Sequence, residues 1–409
     1  MKWIKGFRAV LKAVVVIPVV WLARLFKRRQ LWLISDRSEE GGDNGEVLFL
    51  YLRRHHPEID ARFAVDGSSE TARRLAAVGP IVPWKSWRRK ITTLLADCLI
   101  SSQAQDAFVN PFGIYGRWYR RLLEDKPFVF LQHGIIKDDM SAELNRGRRH
   151  IAGFVTSSER ERASILAGDY GYTAKQVWLT GLPRFDMLTA ATSVVEKRIL
   201  VMPTWRLSLL DGQTGPNGEW RLKNGFQKSE FFRFYGGLLS DERLLDACRR
   251  HGYAISFVLH PNMLAAQSFF RSDDVVNVLN GNTPYGSLFL QGALLVTDYS
   301  STAFDFAYLR KPVIYAQFDA DSFFAGGHTY RKGYFDYVRD GFGEVEYSMD
   351  ATVARIIAYI KTGCAAKKEY LERVDNFFAF RDGENCRRVA EHIFRLAGGA
   401  KPPPARICR

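Results

Sequence analysis

Residues 295–307 read LVTDYSSTAFDFA. An apolar run over 293–297 ends in Asp298-Tyr299-Ser300-Ser301-Thr302, and a helix-like pattern follows. The spacing predicts a buried strand feeding a hydroxyl-rich turn that opens a helix. Main-chain N–H groups at a helix start have no internal partners, and the helix dipole favours negative charge there. A phosphate suits such a place, and the Ser and Thr hydroxyls add donors. An ordinary helix cap accounts for the same residue types, so the turn stands between a cap and an anion site.

Two other apolar runs end in histidine. Residues 128–134, FVFLQHG, close on Gln132-His133-Gly134, with Lys137 and Asp138 close behind. Residues 254–261, AISFVLHP, close on His260-Pro261. In open α/β sheets ligands bind outside the carboxyl ends of the strands. One histidine at a strand end is commonly structural. Two of them, beside a hydroxyl turn, point to a single functional site.

The rest of the chain alternates in the same way. Runs at 31–35, 62–65, 81–83, 94–101, 128–132 and 154–157 read as strands, with helical periodicity at 47–55 and 71–78. A second set of strands is expected at 198–202, 254–259, 294–297 and 312–315. Strands alternating with helices predict βαβ units and parallel sheets. The turn Gly41-Gly42-Asp43-Asn44-Gly45 fails the spacing of a dinucleotide fingerprint. Residues 210–225, rich in Gly, Asn and Asp, read as a loop that could serve as a lid. At 409 residues, two domains are expected.

An ordered set of motifs resembles the CDP-glycerol glycerophosphotransferases of teichoic acid and capsule polymer synthesis. The matching residues are His133-Gly134 with Lys137, Gly181-Leu182-Pro183-Arg184 with Asp186, and Pro203-Thr204-Trp205-Arg206. His260-Pro261 follows, then Thr297-Asp298-Tyr299-Ser300-Ser301 with Asp305-Phe306-Ala307. Phe335-Asp336-Tyr337 and Asp382-Gly383 with Arg388 complete the set. The resemblance runs from about 132 to 389. His133-Gly134 is followed by Ile135-Ile136 where that pattern has Thr-Pro.

The resemblance implies an α/β fold of two Rossmann-like domains facing a cleft, of the GT-B type. The expected division is a basic amphipathic membrane-surface helix at 1–30, an acceptor domain at 31–195, a nucleotide-donor domain with crossing-back helices at 196–397, and a tail at 398–409. The implied reaction moves glycerol phosphate from CDP-glycerol to a hydroxyl of a lipid-linked saccharide or polyol-phosphate acceptor and releases CMP. Transfer of ribitol phosphate from CDP-ribitol, a GT-B glycosyltransferase using a nucleotide sugar, and a non-catalytic membrane-surface binding protein are the alternatives.

The charge is uneven. Net charge is +14, and the first 30 residues carry Lys2, Lys5, Arg8, Lys12, Arg24, Lys27, Arg28 and Arg29 with no acid. Between them lies 13–23, AVVVIPVVWLA. This core is short for a bilayer span, which takes about 20 apolar residues, and Pro18 is expected to interrupt a helix. A small-residue cleavage site does not follow it, which disfavours a signal peptide. A helix in the membrane interface is the expectation, with Trp3, Phe7, Trp21 and Phe26 as anchors and the basic residues on anionic lipid. That places the chain peripherally on the cytoplasmic face of the membrane. No nucleic-acid-binding signature accompanies the charge. The five cysteines are scattered, which argues against a disulfide framework or a Cys-based zinc site and fits a reducing compartment.

Phosphoryl transfer needs a base on the attacking hydroxyl and cationic or N–H groups on the diphosphate. His133 is expected to be the base, since histidine accepts a proton near neutral pH. His260 is assigned to the donor phosphate or the leaving group. Ser300, Ser301 and Thr302 would hold the diphosphate, with Arg206 and Lys137 adding charge. Gly134, Asp298, Asp305 and Arg184 would support the site. Structural ion pairs are the competing account of Arg184 and Arg206, and N-capping or packing that of Asp298 and Asp305. No metal or other cofactor is required by these residues, and a divalent metal is left open. The one Asp-x-Asp sequence considered, Asp319-Ala-Asp321, lies in a loop of unassigned position.

Overall fold

The computed structural model describes residues 2–112, 123, 126–191, 194–213, 220–279, 284–324 and 331–398, with side chains from residue 14 onward except those of 106 and 107. The chain forms two compact units. The first comprises residues 1–135, 141–190 and 379–409, and the second 136–140 and 191–378.

The first unit is built on a seven-stranded sheet. Its strands are β1 (Leu31–Ser35), β2 (Asp60–Val65), β3 (Ile81–Pro83), β4 (Cys98–Ser101), β5 (Phe128–Phe130), β6 (Ile151–Thr156) and β7 (Val177–Leu179). The spatial order is β3-β2-β1-β4-β5-β6-β7, and every pair is parallel. The order reverses between β1 and β4, the switch point at which doubly wound sheets place ligands. Parallel strands are covered on both faces, which is why these segments are continuous apolar runs rather than alternating ones. Trp32, Phe49, Phe63, Phe154 and Phe185 fill the core.

The second unit repeats the scheme with β8 (Arg198–Val201), β9 (Leu210–Gln213), β10 (Trp220–Leu222), β11 (Ala254–Val258), β12 (Val276–Leu279), β13 (Leu294–Thr297), β14 (Val313–Ala316) and β15 (Gly343–Glu346). Six of them form a parallel sheet in the order β12-β11-β8-β13-β14-β15, reversing between β8 and β13. Phe231, Tyr235, Phe257 and Phe270 lie in its core.

Several expectations are corrected. Residues 210–225 are not a plain loop. β9 and β10 pair antiparallel there, with Trp220 opposite Gln213, and Leu210 is buried in the core. Residues 214–219 lie outside the described residues. The last helix, Asn385–Leu396, belongs to the first unit, where Phe394 packs on Trp32 with ring centroids 4.9 Å apart. Residues 136–140, including Lys137, belong to the second unit.

The N-terminal helix, Lys2–Phe26, runs through Pro18 without ending. Proline there removes one backbone donor and crowds the carbonyl four residues back, at a cost of about 3 kcal/mol. Val16 and Val20, four residues apart on one face, pack on Leu94, Phe112 and Leu123 of the first unit. Arg24 and Lys27 do not simply face outward. Their side chains donate to the Leu94 and Leu95 carbonyls at the end of the Trp87–Leu95 helix, and Lys27 pairs with Asp97 at 2.5 Å. Trp21, Leu22, Leu25 and Phe26 are exposed. The side chains of Lys2, Trp3, Lys5, Phe7, Arg8 and Lys12, and the tail from 399, lie outside the described residues. Among the described residues no helix is long and apolar enough to cross a membrane.

Candidate functional site

In the first unit the site begins at the end of β5. Gln132 is fully buried and takes φ +66°, a left-handed conformation rare for a side chain of this kind. Its amide donates to Glu161 Oε1 at 3.0 Å, and Asn44 Nδ2 donates to its carbonyl at 2.8 Å. These bonds hold the bend that turns His133 out of the sheet, with its side chain 53% exposed. Gly134 continues the same bend, half-buried.

His133 meets a residue that the sequence reading left aside. Its Nδ1 lies 2.5 Å from Asp43 Oδ2, in the Gly-rich turn after β1. A carboxylate only accepts, so Nδ1 carries a proton, and in the neutral ring Nε2 holds the lone pair. Arg37 Nη2 stands 3.1 Å from that Nε2. Arg184, at the start of the Arg184–Ala190 helix, donates to Asp43 Oδ1 at 2.8 Å and to the His133 carbonyl at 2.6 Å. Its own N–H donates to Asn44 Oδ1 at 2.9 Å. Arg184 is therefore a tie between the two segments that carry Asp43 and His133.

Asp36 builds the turn beneath. The main-chain N–H groups of Gly45, Glu46 and Asp43 donate to its carboxyl at 2.8, 3.0 and 3.2 Å. A side chain at Gly45 would collide with Asp36 and the Ser35 carbonyl, so only glycine allows this approach. Burial, and then the Asp43 charge, push Asp36 up to about 7. Burial also works to raise Asp43, but the charges of a protonated His133 and of Arg184 and the hydrogen bonds of His133 and Asn44 outweigh it. Asp43 lies below the ordinary carboxylate range. At neutral pH it is an anion able to stabilise an imidazolium.

The second unit carries the other expected residues, and it divides them. His260, just beyond β11, is half-buried and accepts the Asn262 N–H on Nδ1 at 3.1 Å. Its proton is then on Nε2, which makes it a donor rather than a base. Trp205 lies over the ring, centroids 6.1 Å apart. Ser300, Ser301 and Thr302 follow β13 and are all half-buried. Ser300 Oγ accepts from the Thr302 N–H at 3.3 Å and its hydroxyl at 2.9 Å. Ser301 stands at the N-cap of the Thr302–Tyr308 helix and makes no capping bond. Asp305 is buried in that helix.

Arg206 is not available to a phosphate. It is 3% exposed, and its guanidinium bonds Asp319 Oδ2 at 2.7 Å, Asp298 Oδ2 at 2.8 Å and the Thr204 carbonyl at 2.7 Å. Asp298, fully buried, also accepts the N–H groups of Thr204 and Tyr299 at 2.8 and 2.6 Å. The structural ion pair is the reading that holds for Arg206, and it fixes the loops after β8 and β13 at the switch point. The same bonds engage Asp319 of the Asp-x-Asp sequence. Lys137 is likewise buried, pairs with Asp138 and lies over the Tyr337 ring. Among the described residues no cluster of three His, Cys, Asp or Glu side chains could hold a metal ion.

These features meet their counterpart in known proteins. Residues 16–395 match the model of the CDP-Glycerol:Poly(glycerophosphate) glycerophosphotransferase family, and the chain belongs to that family. It is similar to the minor teichoic acid biosynthesis protein GgaB of Bacillus subtilis (strain 168), with 35% identity over 388 residues covering 95% of this chain and 42% of that protein. It is also similar to the teichoic acid glycerol-phosphate transferase of Staphylococcus aureus (strain NCTC 8325 / PS 47), 24% identical over 261 residues, 59% of this chain and 60% of that one. The chain thus spans less than two-thirds of the length of these relatives. Among solved structures, a variant of the wall teichoic acid polymerase TagF soaked with CDPG has a TM-score of 0.62 at 14% identity, covering 97% of this chain and 98% of that one. At that identity the likeness shows the fold.

Proposed function

We propose that the chain transfers glycerol phosphate from CDP-glycerol to a hydroxyl of a membrane-linked acceptor in teichoic acid or capsule polymer synthesis, releasing CMP. The observation that carries this reading is the Asp43–His133 pair in a member of this family. The acceptor oxygen forms a bond to the phosphorus that bears glycerol, and the bond from that phosphorus to the CMP oxygen breaks. The hydroxyl proton passes to His133 Nε2, and Asp43 stabilises the imidazolium that results. His260, through its Nε2–H, and the hydroxyls of Ser300, Ser301 and Thr302 neutralise charge on the departing CMP. The reaction needs no metal in this account. A TagF variant soaked with CDPG supports a CDP-glycerol donor.

The exposed Trp21, Leu22, Leu25 and Phe26, with Arg28 and Arg29 beside them, support peripheral attachment to an anionic membrane surface. Sedimentation with anionic vesicles should fall when Trp21, Leu25 and Phe26 are changed to Ser. The function itself is tested by incubating the protein with CDP-glycerol, CDP-ribitol or UDP-sugars beside a lipid-linked acceptor. CMP release with CDP-glycerol is expected. CMP from CDP-ribitol alone, or UDP from a UDP-sugar, would replace this reading with another.

A further inference from the structure

We propose that Arg37 is a phosphate-binding residue of the His133 site, and that it covers the base nitrogen until a phosphate draws it away. The inference rests on the reading of His133 as the base and adds the group that recognises the substrate there. Nδ1 of His133 is committed to Asp43, so Nε2 holds the lone pair that must take the proton. Arg37 Nη2 lies 3.1 Å from this atom. A guanidinium can only donate, so the bond runs from Arg37 to Nε2 and occupies the lone pair.

Arg37 is lightly held. Its side chain is 37% exposed, and its other bond, from Nη1 to Glu40 Oε1 at 2.9 Å, is to a carboxylate that is 55% exposed. Exposed pairs of this kind contribute little and are readily exchanged. A hydroxyl arriving at Nε2 must displace the guanidinium. The displaced group stays beside the reacting oxygen and presents a planar fork of donors that matches a phosphate. That phosphate is the transferred group of the donor or a phosphodiester of the acceptor, and the chemistry recognised is the same. Where the phosphodiester of the acceptor is the one recognised, the covered lone pair cannot deprotonate water until the acceptor arrives, which protects bound donor from hydrolysis. The charged groups around the imidazole are Asp43 on Nδ1, Arg37 on Nε2, Arg184 on the main-chain oxygen, Asp36 beneath the Asp43 turn and Glu40 behind Arg37.

The test uses the full chain and inorganic phosphate as the probe. The ring C–H signal of His133, assigned by its loss in His133→Gln, is followed by NMR at fixed pH as phosphate is added. In the wild-type protein phosphate should move the signal. In Arg37→Gln the response should need about tenfold more phosphate, and Arg37→Lys should restore part of it. An unchanged phosphate response in Arg37→Gln overturns the proposal, whatever reaction the protein performs. Where CMP release is active and the phosphodiester of the acceptor is the group bound, Arg37→Gln should raise donor hydrolysis in the absence of acceptor. It should raise KM for the donor if the transferred phosphate is bound, or for the acceptor if the phosphodiester is. No change in either KM overturns it too.

Discussion

Asp186 caps the start of a helix 199 residues further along the chain: its Oδ1 accepts the Asn385 N–H at 2.9 Å and its Oδ2 the Cys386 N–H at 2.7 Å. Burial raises the carboxyl above its usual range despite these two donors. Arg388, one turn on, donates to the Thr180 carbonyl and pairs with Asp382. Two motifs far apart in sequence, Gly181–Asp186 and Asp382–Arg388, thus form one structural joint in the first unit. Asp186→Ala should cost about 1–2 kcal/mol in urea unfolding, as loss of a helix cap does. A variant as stable as the wild type would remove the joint from the account.

Asp43 should matter to turnover as much as its partner. Asp43→Asn keeps the shape but offers Nδ1 a donor as readily as an acceptor, and the tautomer with a free Nε2 loses its preference. His133→Ala and Asp43→Asn should each lower the rate of CMP release by about 10²–10⁴. Binding of CDP-glycerol, followed calorimetrically, should stay near wild type in both. His260→Ala, in contrast, should weaken nucleotide binding. Equal losses of affinity in all three would undo the division of roles.

Ser300 and Ser301 differ in what the helix asks of them. Ser301 caps nothing, whereas Ser300 accepts from Thr302. The double change to Ala removes two hydroxyl donors, each worth about 1.5–3 kcal/mol against a charged ligand. CDP should therefore bind at least about tenfold more weakly, with cytidine hardly affected. Melting should drop only in variants that lack Ser300. Unchanged CDP affinity would return the turn to a purely structural role.

Arg206 should behave as a stability residue. Removing one member of a buried pair leaves charge uncompensated and costs about 3–5 kcal/mol. Arg206→Met should therefore lower the melting temperature strongly, and Asp298→Asn with Asp319→Asn in the same chain should recover part of it. A stable Arg206→Met that has lost only nucleotide affinity would contradict this.

Asp36 and Asp43 should give stability opposite slopes in pH. Asp36 is raised from 3.8 to about 7, so its contribution is full below its unfolded value and is lost as pH climbs through 7. Asp43 is lowered, so its contribution is present above the usual carboxylate range and is lost on acidification. Between about pH 4 and 7 the contribution of Asp36 has a slope of up to about −1.4 kcal/mol per pH unit. Urea titrations over that window should show the decline in the wild type and a flatter line in Asp36→Asn. An identical slope in both would place the titrating group elsewhere.

The alternation of strands and helices was legible because buried parallel strands are short apolar runs, and His133 and His260 were found because each closes one. The short strands β7, β12 and β15 were missed: three or four residues such as Val177–Leu179 carry too little pattern. Asp43 was missed because it lies 90 positions from His133, in a glycine turn judged only as a nucleotide fingerprint. Its position at the carboxyl end of the first strand was the available signal. Arg206 and Lys137 looked like phosphate ligands because sequence shows charge but not enclosure. Only the fold brings Asp298 and Asp319 together around one guanidinium.

The return of the Asn385–Leu396 helix to the first sheet sets an order of assembly on the ribosome. Synthesis runs from the N-terminus, and domains tend to form as their segments emerge. Residues 191–378 emerge in full while Trp32 still lacks Phe394 and Asp186 has no helix to cap. The unit begun first is therefore the one finished last. A nascent chain halted before 385 would hold a completed second unit beside a first whose aromatic face is open, the state in which a chaperone would find most to hold.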